Sequence, residues 1–298
     1  MKKITYKNKQ KEKNSESLNY FEKNFSSKSS TLKFLYKNLK KSKIEKIYDF
    51  SVQDWNQNQK NIIKDIQKKF PSRKIIIRSS AFGEDSIKKS QAGNYDSILN
   101  IDTSSTHKIK NGVNCVIKSY IKKGNTNTNN LILIQTQSKN IIFSGVVFTR
   151  SFDSGLPYFI INYEENGSTV GVTKGLVNNS IKISRNTNLR TLPIHWSNLL
   201  KSIFEIEKLL NSTSLDIEFG VTKSKKIIIF QVRPITSLTQ KFESDSKIFK
   251  IIKNHKIIYK KKKTSSVKNE PLIFSDMTDW NPAEIIGNNP NLLDYSLY

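Results

Sequence analysis

The chain has 298 residues, 36% of them hydrophobic and 10% aromatic, enough for one large domain or two modest ones. Mean hydropathy is -0.52 and no apolar run nears the roughly 20 residues of a spanning helix, which excludes a helical membrane protein. Only six arginines contribute to the net charge of +25, and the lysines, asparagines and isoleucines run along the whole chain, so the charge reads as a coding bias rather than a specific nucleic-acid surface. The basic start Met1-Lys-Lys-Ile-Thr-Tyr-Lys7 has no apolar core behind it and is not a secretory signal. The single cysteine, Cys115, rules out an intrachain disulfide, fits a reducing cytoplasm and reads as a small buried hydrophobe.

Residues 1–25 are polar and lysine-rich and read as a basic N-terminal arm. Leu32, Leu35, Tyr36 and Leu39 follow helical spacing. Ser51-Val-Gln-Asp54 predicts a capped helix start, with Ile62, Ile63 and Ile66 facing inward and Pro71 ending the helix. Strands are expected at 75–77, at the β-branched run 130–136, at 141–150 with an interruption at Gly145, and at 158–163. Asn166-Gly167 is a turn signal before a further strand at 169–172. A helix is expected over 196–210, then two strands, 215–221 and 227–232, around the lysine turn 223–226. Residues 237–268 read as a basic linker, its densest run Tyr259-Lys-Lys-Lys-Lys-Thr264 as a solvated loop, and the apolar stretch ending at Tyr298 as the opening of a further module.

Two segments carry chemistry. Ile75-Ile-Ile-Arg-Ser-Ser-Ala-Phe-Gly-Glu-Asp-Ser86 is followed closely by Ser90-Gln-Ala-Gly-Asn-Tyr-Asp-Ser97. An apolar run there delivers Arg78, whose planar fork of donors suits phosphate oxygens, and Gly93 allows a ligand close to the backbone. The same residues also suit two plain strands joined by a polar loop. In the second segment Asp216 and Glu218 lie two apart and share a strand face, as do Gln231 and Arg233 on the partner strand. Two carboxylates with an amide oxygen suit a hard divalent cation, and Arg233 could supply charge for phosphoryl transfer. A surface hairpin with a cross-strand salt bridge is the alternative. Against it stand the apolar flanks Ile217, Phe219, Val232 and 227–230, since buried acids need partners.

The phrases Ile-Arg-Ser-Ser-Ala-Phe-Gly-Glu-Asp-Ser, Gln-Ala-Gly-Asn-Tyr-Asp-Ser-Ile-Leu-Asn, Ser-Gly-Val-Val-Phe-Thr-Arg, Asp-Ile-Glu-Phe and Phe-Gln-Val-Arg-Pro-Ile-Thr occur in that order. Together they resemble the nucleotide-binding domain of the pyruvate phosphate dikinase and phosphoenolpyruvate synthase family, over residues 26–236, with 237–298 as linker and truncated module. The resemblance implies an α+β, ATP-grasp-like fold with two lobes around a nucleotide cleft, and ATP and Mg2+ as cofactors. It implies that Arg78 binds the phosphate chain and Arg150 lies over it, and that Ser79, Gln91, Ala92 and Gly93 line the nucleotide. Asp216, Glu218 and Gln231 would handle nucleotide and metal, Glu218 and Gln231 being the metal residues. Arg78 and Arg233 form the catalytic pair, Arg233 at the transferred group. Lys28, in Ser26-Ser-Lys-Ser-Ser-Thr-Leu32, matches a family lysine, with serines where the family has glycines. The family relays phosphate through a histidine in a Thr-x-His motif on a swivelling domain. His107, His195 and His255 sit in no such context and read as ordinary polar histidines, and no pyruvate-binding barrel is present in the sequence. The implied role is donation of phosphate from ATP to a histidine on a domain in trans or in a missing C-terminal region, then to pyruvate or another acceptor. A truncated or degenerate regulatory nucleotide-binding module remains the alternative.

Overall fold

The computed structural model describes residues 27–86, 89–90, 95–152, 154–165, 179–236 and 244–266. The chain divides into two units, one ending at Glu243 and the other starting at Ser244. In chain order the first unit holds α1 (Lys28–Asn38), β1 (Ile47–Ser51), α2 (Val52–Lys69), β2 (Lys74–Ser80), β3 (Asp85–Ser86), β4 (Lys89–Ser90), β5 (Ser97–Asp102), α3 (Thr106–Lys122) and β6 (Leu131–Thr136). It continues through β7 (Ile141–Phe148), β8 (Tyr158–Glu165), β9 (Asn179–Ser184), α4 (Ile194–Leu210), β10 (Leu215–Thr222) and β11 (Ile227–Pro234). The second unit holds α5 (Asp245–Ser266). The α+β class and the two lobes expected from the sequence are present, each lobe built on its own antiparallel sheet.

The first sheet has the order β1-β6-β2-β5. Ile75, Ile77, Ile132 and Ile134 point from it into a core shared with Trp55, Ile62, Ile63 and Ile66 of α2 and Ile109, Val113 and Val116 of α3. Helix α2 starts where expected. Ser51 and Asp54 form a reciprocal capping box that satisfies two otherwise unpaired backbone donors. The Ser51 hydroxyl and backbone N–H hold the Asp54 carboxyl below its ordinary value. Sequence reasoning did not assign β1 or α3. Cys115 of α3 is exposed rather than buried, because Ile109, Val113, Val116 and Tyr120 take the helix's inner face.

The second sheet has the order β11-β10-β7-β8-β9. Val147, Phe159, Ile161, Ile217, Phe219 and Val221 face Leu199, Leu200, Ile203 and Ile206 of α4. By alternation, Asp216, Glu218 and their register partners Phe148 and Val146 lie on the other face. Leu32 and Leu35 of α1 and Leu133 of β6 join this second core, so α1 and the first sheet are tied to the second by apolar packing. Arg185 forms a two-pronged buried ion pair with Glu207, both contacts 2.7 Å, and donates to the Thr149 carbonyl.

Gly145 does not interrupt β7, which pairs through it with Tyr163 on one side and Phe219 on the other. A Cβ at Gly145 would lie 2.2 Å from the Asn162 carbonyl oxygen and 2.9 Å from the Tyr163 Cα. The glycine is there so that two backbones can approach. In the second unit, α5 turns the basic run at 259–264 into helix instead of loop. The expected arm at 1–25, the turn at 166–167, the strand at 169–172 and residues 267–298 lie outside the described residues. Among the described residues no helix is long and apolar enough to cross a membrane.

Gly145→Ala should cost about 3 kcal/mol, since the obstacle is backbone, and should shift the urea midpoint accordingly. Ser51→Ala should cost about 1 kcal/mol through loss of the cap. Equal midpoints for native protein and Gly145→Ala would contradict the packing described.

Candidate functional site

Strand β2 hands three consecutive side chains to three neighbours. Ile75 and Ile77 are buried against helices, so Arg78 emerges on the opposite face, toward the β10–β11 hairpin. That hairpin pairs Asp216 with Arg233 and Glu218 with Gln231, then slips register before Phe219, which leaves Phe230 without a partner on β10. The slip is a β-bulge. The Phe230 carbonyl accepts from Arg78 Nη1 at 3.1 Å, and Gln231 Oε1 accepts from Nη2 at 2.7 Å. Glu218 Oε2 lies 3.4 Å from the same Nη2. Arg78, Glu218 and Gln231, proposed from sequence, therefore meet in one cluster drawn from both sheets. The Phe230 ring lies over Gly220, where a Cβ would come 2.6 Å from it.

Arg233 follows Gln231 on the same face, with Nε donating to Asp216 Oδ2 at 2.7 Å. The other Asp216 oxygen, Oδ1, is buried with no hydrogen-bond partner among the described residues. Burial pushes the Asp216 carboxyl up; the Arg233 guanidinium opposes this and Glu218 adds to it. Asp216 Oδ1 has unused acceptor capacity, and Glu218 and Gln231 offer further oxygens beside it. Two carboxylates and an amide oxygen fit a hard divalent cation sharing its other positions with phosphate oxygens. Among the described residues no three acidic, histidine or cysteine side chains cluster.

Ser79 and Ser80 fix helix α1. Ser80 Oγ accepts from the Ser29 N–H at 2.9 Å, and Ser29 Oγ bonds to Asp49. The Lys28 ammonium contacts Glu84 and lies 3.3 Å from Ser79 Oγ. Lys28 is thus brought beside β2, with Glu84 as a partner that sequence reasoning gave no role. Arg150 is buried in the β7–β8 connection, where Nη1 donates to the Gly155 carbonyl at 3.1 Å and Nε lies 3.4 Å from Thr213 Oγ1. The pairing of Phe148 with Asp216 puts it at the same end of the sheet as Asp216 and Arg233. Gln91, Ala92 and Gly93 lie outside the described residues.

One residue escaped sequence reasoning. Gln135 of β6 is buried, and neither its amide nitrogen nor its oxygen has a partner among the described residues. It pairs in register with Ile76, so it shares the sheet face of Arg78. The available signal was a lone amide in the apolar run Leu131-Ile-Leu-Ile-Gln135. His107 and His195 make their contacts outside this cluster. His107 meets Asn111, and His195 packs edge-on to Phe143 and Trp196, where burial and Lys225 push its imidazole down. His255 is exposed on α5.

Because burial raises the Asp216 carboxyl, the folded chain keeps that proton to higher pH than the unfolded chain. The stability it contributes is complete below its ordinary value of 3.8 and is lost as pH rises through the folded value. Asp216→Asn removes this dependence. The melting temperature of Asp216→Asn relative to native protein should therefore be higher at pH 7 than at pH 4, and a pH-independent difference would refute the assignment.

Residues 51–163 match the family model for the pyruvate phosphate dikinase AMP/ATP-binding domain, the family that the motifs resemble. The match contains Arg78, Ser79, Gln135 and Arg150; Lys28 and the β10–β11 hairpin lie outside it. Among solved structures, the D-alanine-D-alanine ligase from Coxiella burnetii matches at 9% identity and TM-score 0.40, over 80% of this chain and 62% of that one. The D-alanine-D-alanine ligase from Bacillus anthracis matches at 12% identity and TM-score 0.39, over 80% and 69%. The VanG D-Ala:D-Ser ligase from Enterococcus faecalis matches at 12% identity and TM-score 0.40, over 72% and 55%. The chain thus spans less than two thirds of the Coxiella and Enterococcus proteins. No curated protein sequence matches the chain.

Proposed function

We propose that this chain is the ATP-binding, phosphoryl-donating domain of a dikinase-type phosphotransferase with an ATP-grasp-like fold. The observation that carries the reading is the meeting of Arg78, from the first sheet, with Glu218 and Gln231 from the second. A guanidinium beside a carboxylate and an amide is the equipment for a phosphate chain carrying a divalent cation. Arg78 holds phosphate oxygens. Asp216, Glu218 and Gln231 hold Mg2+, which when bound neutralises phosphate charge. Arg233 is anchored to Asp216 through Nε, and offers its charge at the group being transferred. The Gln135 amide carries an NH2 donor and an oxygen acceptor side by side, the complement of an adenine edge. Phosphoryl transfer asks mainly for positioning and charge neutralisation, and these residues provide both. The acceptor is a histidine on a swivelling domain, supplied in trans or by sequence beyond this chain, and pyruvate or another small molecule receives the group afterwards. The setting is cytoplasmic.

A second reading, a nucleotide-binding regulatory module without transfer, has one observation in its favour. The serines that stand in place of glycines around Lys28 fix α1: Ser27 caps it, and Ser29 bonds to Ser80 and Asp49. Calorimetry with Mg2+–ATP separates the two readings when combined with transfer to a supplied histidine domain. Arg78→Ala should weaken ATP binding by about 10–100-fold, the range for hydrogen bonds to charged groups. Arg233→Ala should bind ATP but transfer about 100–1000-fold more slowly. Gln135→Leu should reduce the preference for ATP over GTP. Tight binding with no transfer by native protein selects the regulatory module, and no binding at all refutes both.

A further inference from the structure

Glu84 is 1% exposed, sits in the turn after β2, and is a carboxylate for which neither reading above has a use. Its Oε1 accepts from the Lys28 ammonium and from Ser79 Oγ at 3.1 Å, and its Oε2 accepts from the Ala81 N–H at 3.2 Å. The turn it closes is held from the other side by Asn130, whose Oδ1 accepts from the Phe82 N–H at 3.2 Å. Glu84 therefore ties together the first turn of α1, the end of β2 and the turn between β2 and β3. Such a carboxylate could be a purely structural counter-ion, since a buried ammonium is costly without one. The geometry argues for more. Among the described residues the ammonium donates to Glu84 and Ser79, and an ammonium has three donors. One proton is left for a further acceptor while the other two fix where it points.

We infer that Glu84 is a positioning residue for nucleotide binding: with Ser79, it holds the Lys28 ammonium so that its remaining donor meets an oxygen of the polyphosphate. This rests on the reading of the chain as an ATP-binding domain. Glu84 touches no ligand itself. A loosened Lys28 could still attract phosphate, but at the entropic cost of ordering a long side chain on binding. Ser79 explains why a hydroxyl rather than an apolar residue stands at the end of β2, next to Arg78. Two adjacent residues thus serve two cations, Arg78 as one itself and Ser79 through Lys28.

The test measures dissociation constants for ATP and adenosine, with melting curves, on the full chain and on Glu84→Gln, Glu84→Asp, Lys28→Met and the double variant Lys28→Met/Glu84→Gln. Glu84→Gln should lose about tenfold in ATP affinity and keep its adenosine affinity, a split that a general loosening of the fold would not give. The double variant should lose no more than Lys28→Met alone, since the two residues act as one unit. If Glu84→Gln does not fold, Glu84→Asp keeps the charge but retracts it by one methylene, and should show a smaller loss confined to ATP. Native-like ATP affinity in a folded Glu84 variant overturns the inference, as does equal loss for ATP and adenosine, or a double variant that loses the sum of the single losses. Native protein that binds no nucleotide overturns the underlying reading instead, an outcome visible before any variant is made.

Discussion

A guanidinium that must leave its own sheet to find acceptors organises this molecule. Arg78 cannot be satisfied within β2, whose backbone groups are engaged with β5 and β6. Its acceptors come from the second sheet: one backbone carbonyl at a bulge and two side chains on neighbouring strands. An unsatisfied buried guanidinium would cost several kcal/mol, so the contact fixes how the two sheets face each other at that point. The bulge matters as much as the arginine. Without the extra residue in β11, the Phe230 carbonyl would be spent on the strand ladder.

Around that contact the chain layers its hydrophobic and polar demands. Each sheet gives one face to helices, and the opposite faces carry Arg78 and Gln135 in the first sheet and Asp216 and Glu218 in the second, beside apolar residues such as Leu133 and Val146. Helix α1 links the layers. Leu32 and Leu35 enter the second core, while its first residues bond to the end of β2. A substitution in α1 is therefore felt in both packing and charge.

What could be read in advance followed from periodicity and from rarity. Asp216 and Glu218 were placed on one face by the two-residue repeat of a strand, and Gln231 by the same rule on its partner. Arg78 stood out because arginine is scarce in a lysine-rich chain. The failures have physical causes as well. The bulge depends on how two strands settle their register, which neither strand encodes alone. Gly145 looked like a break because a sequence does not show a neighbouring backbone 2.2 Å from a missing Cβ. Helix α3 went unread although Ile109, Val113, Val116 and Tyr120 repeat at helical spacing, since lysine, asparagine and Gly112 dilute the pattern. Gln135 was taken as part of a strand, and only its amide's lack of a hydrogen-bond partner among the described residues distinguishes it.

The misplaced expectation for Cys115 has a practical side. It is the chain's single thiol, it is exposed, and α3 covers the face of the first sheet opposite Arg78. A maleimide-linked fluorophore or spin label would attach there alone, away from the polar face, and would follow that lobe without touching Arg78 or its partners.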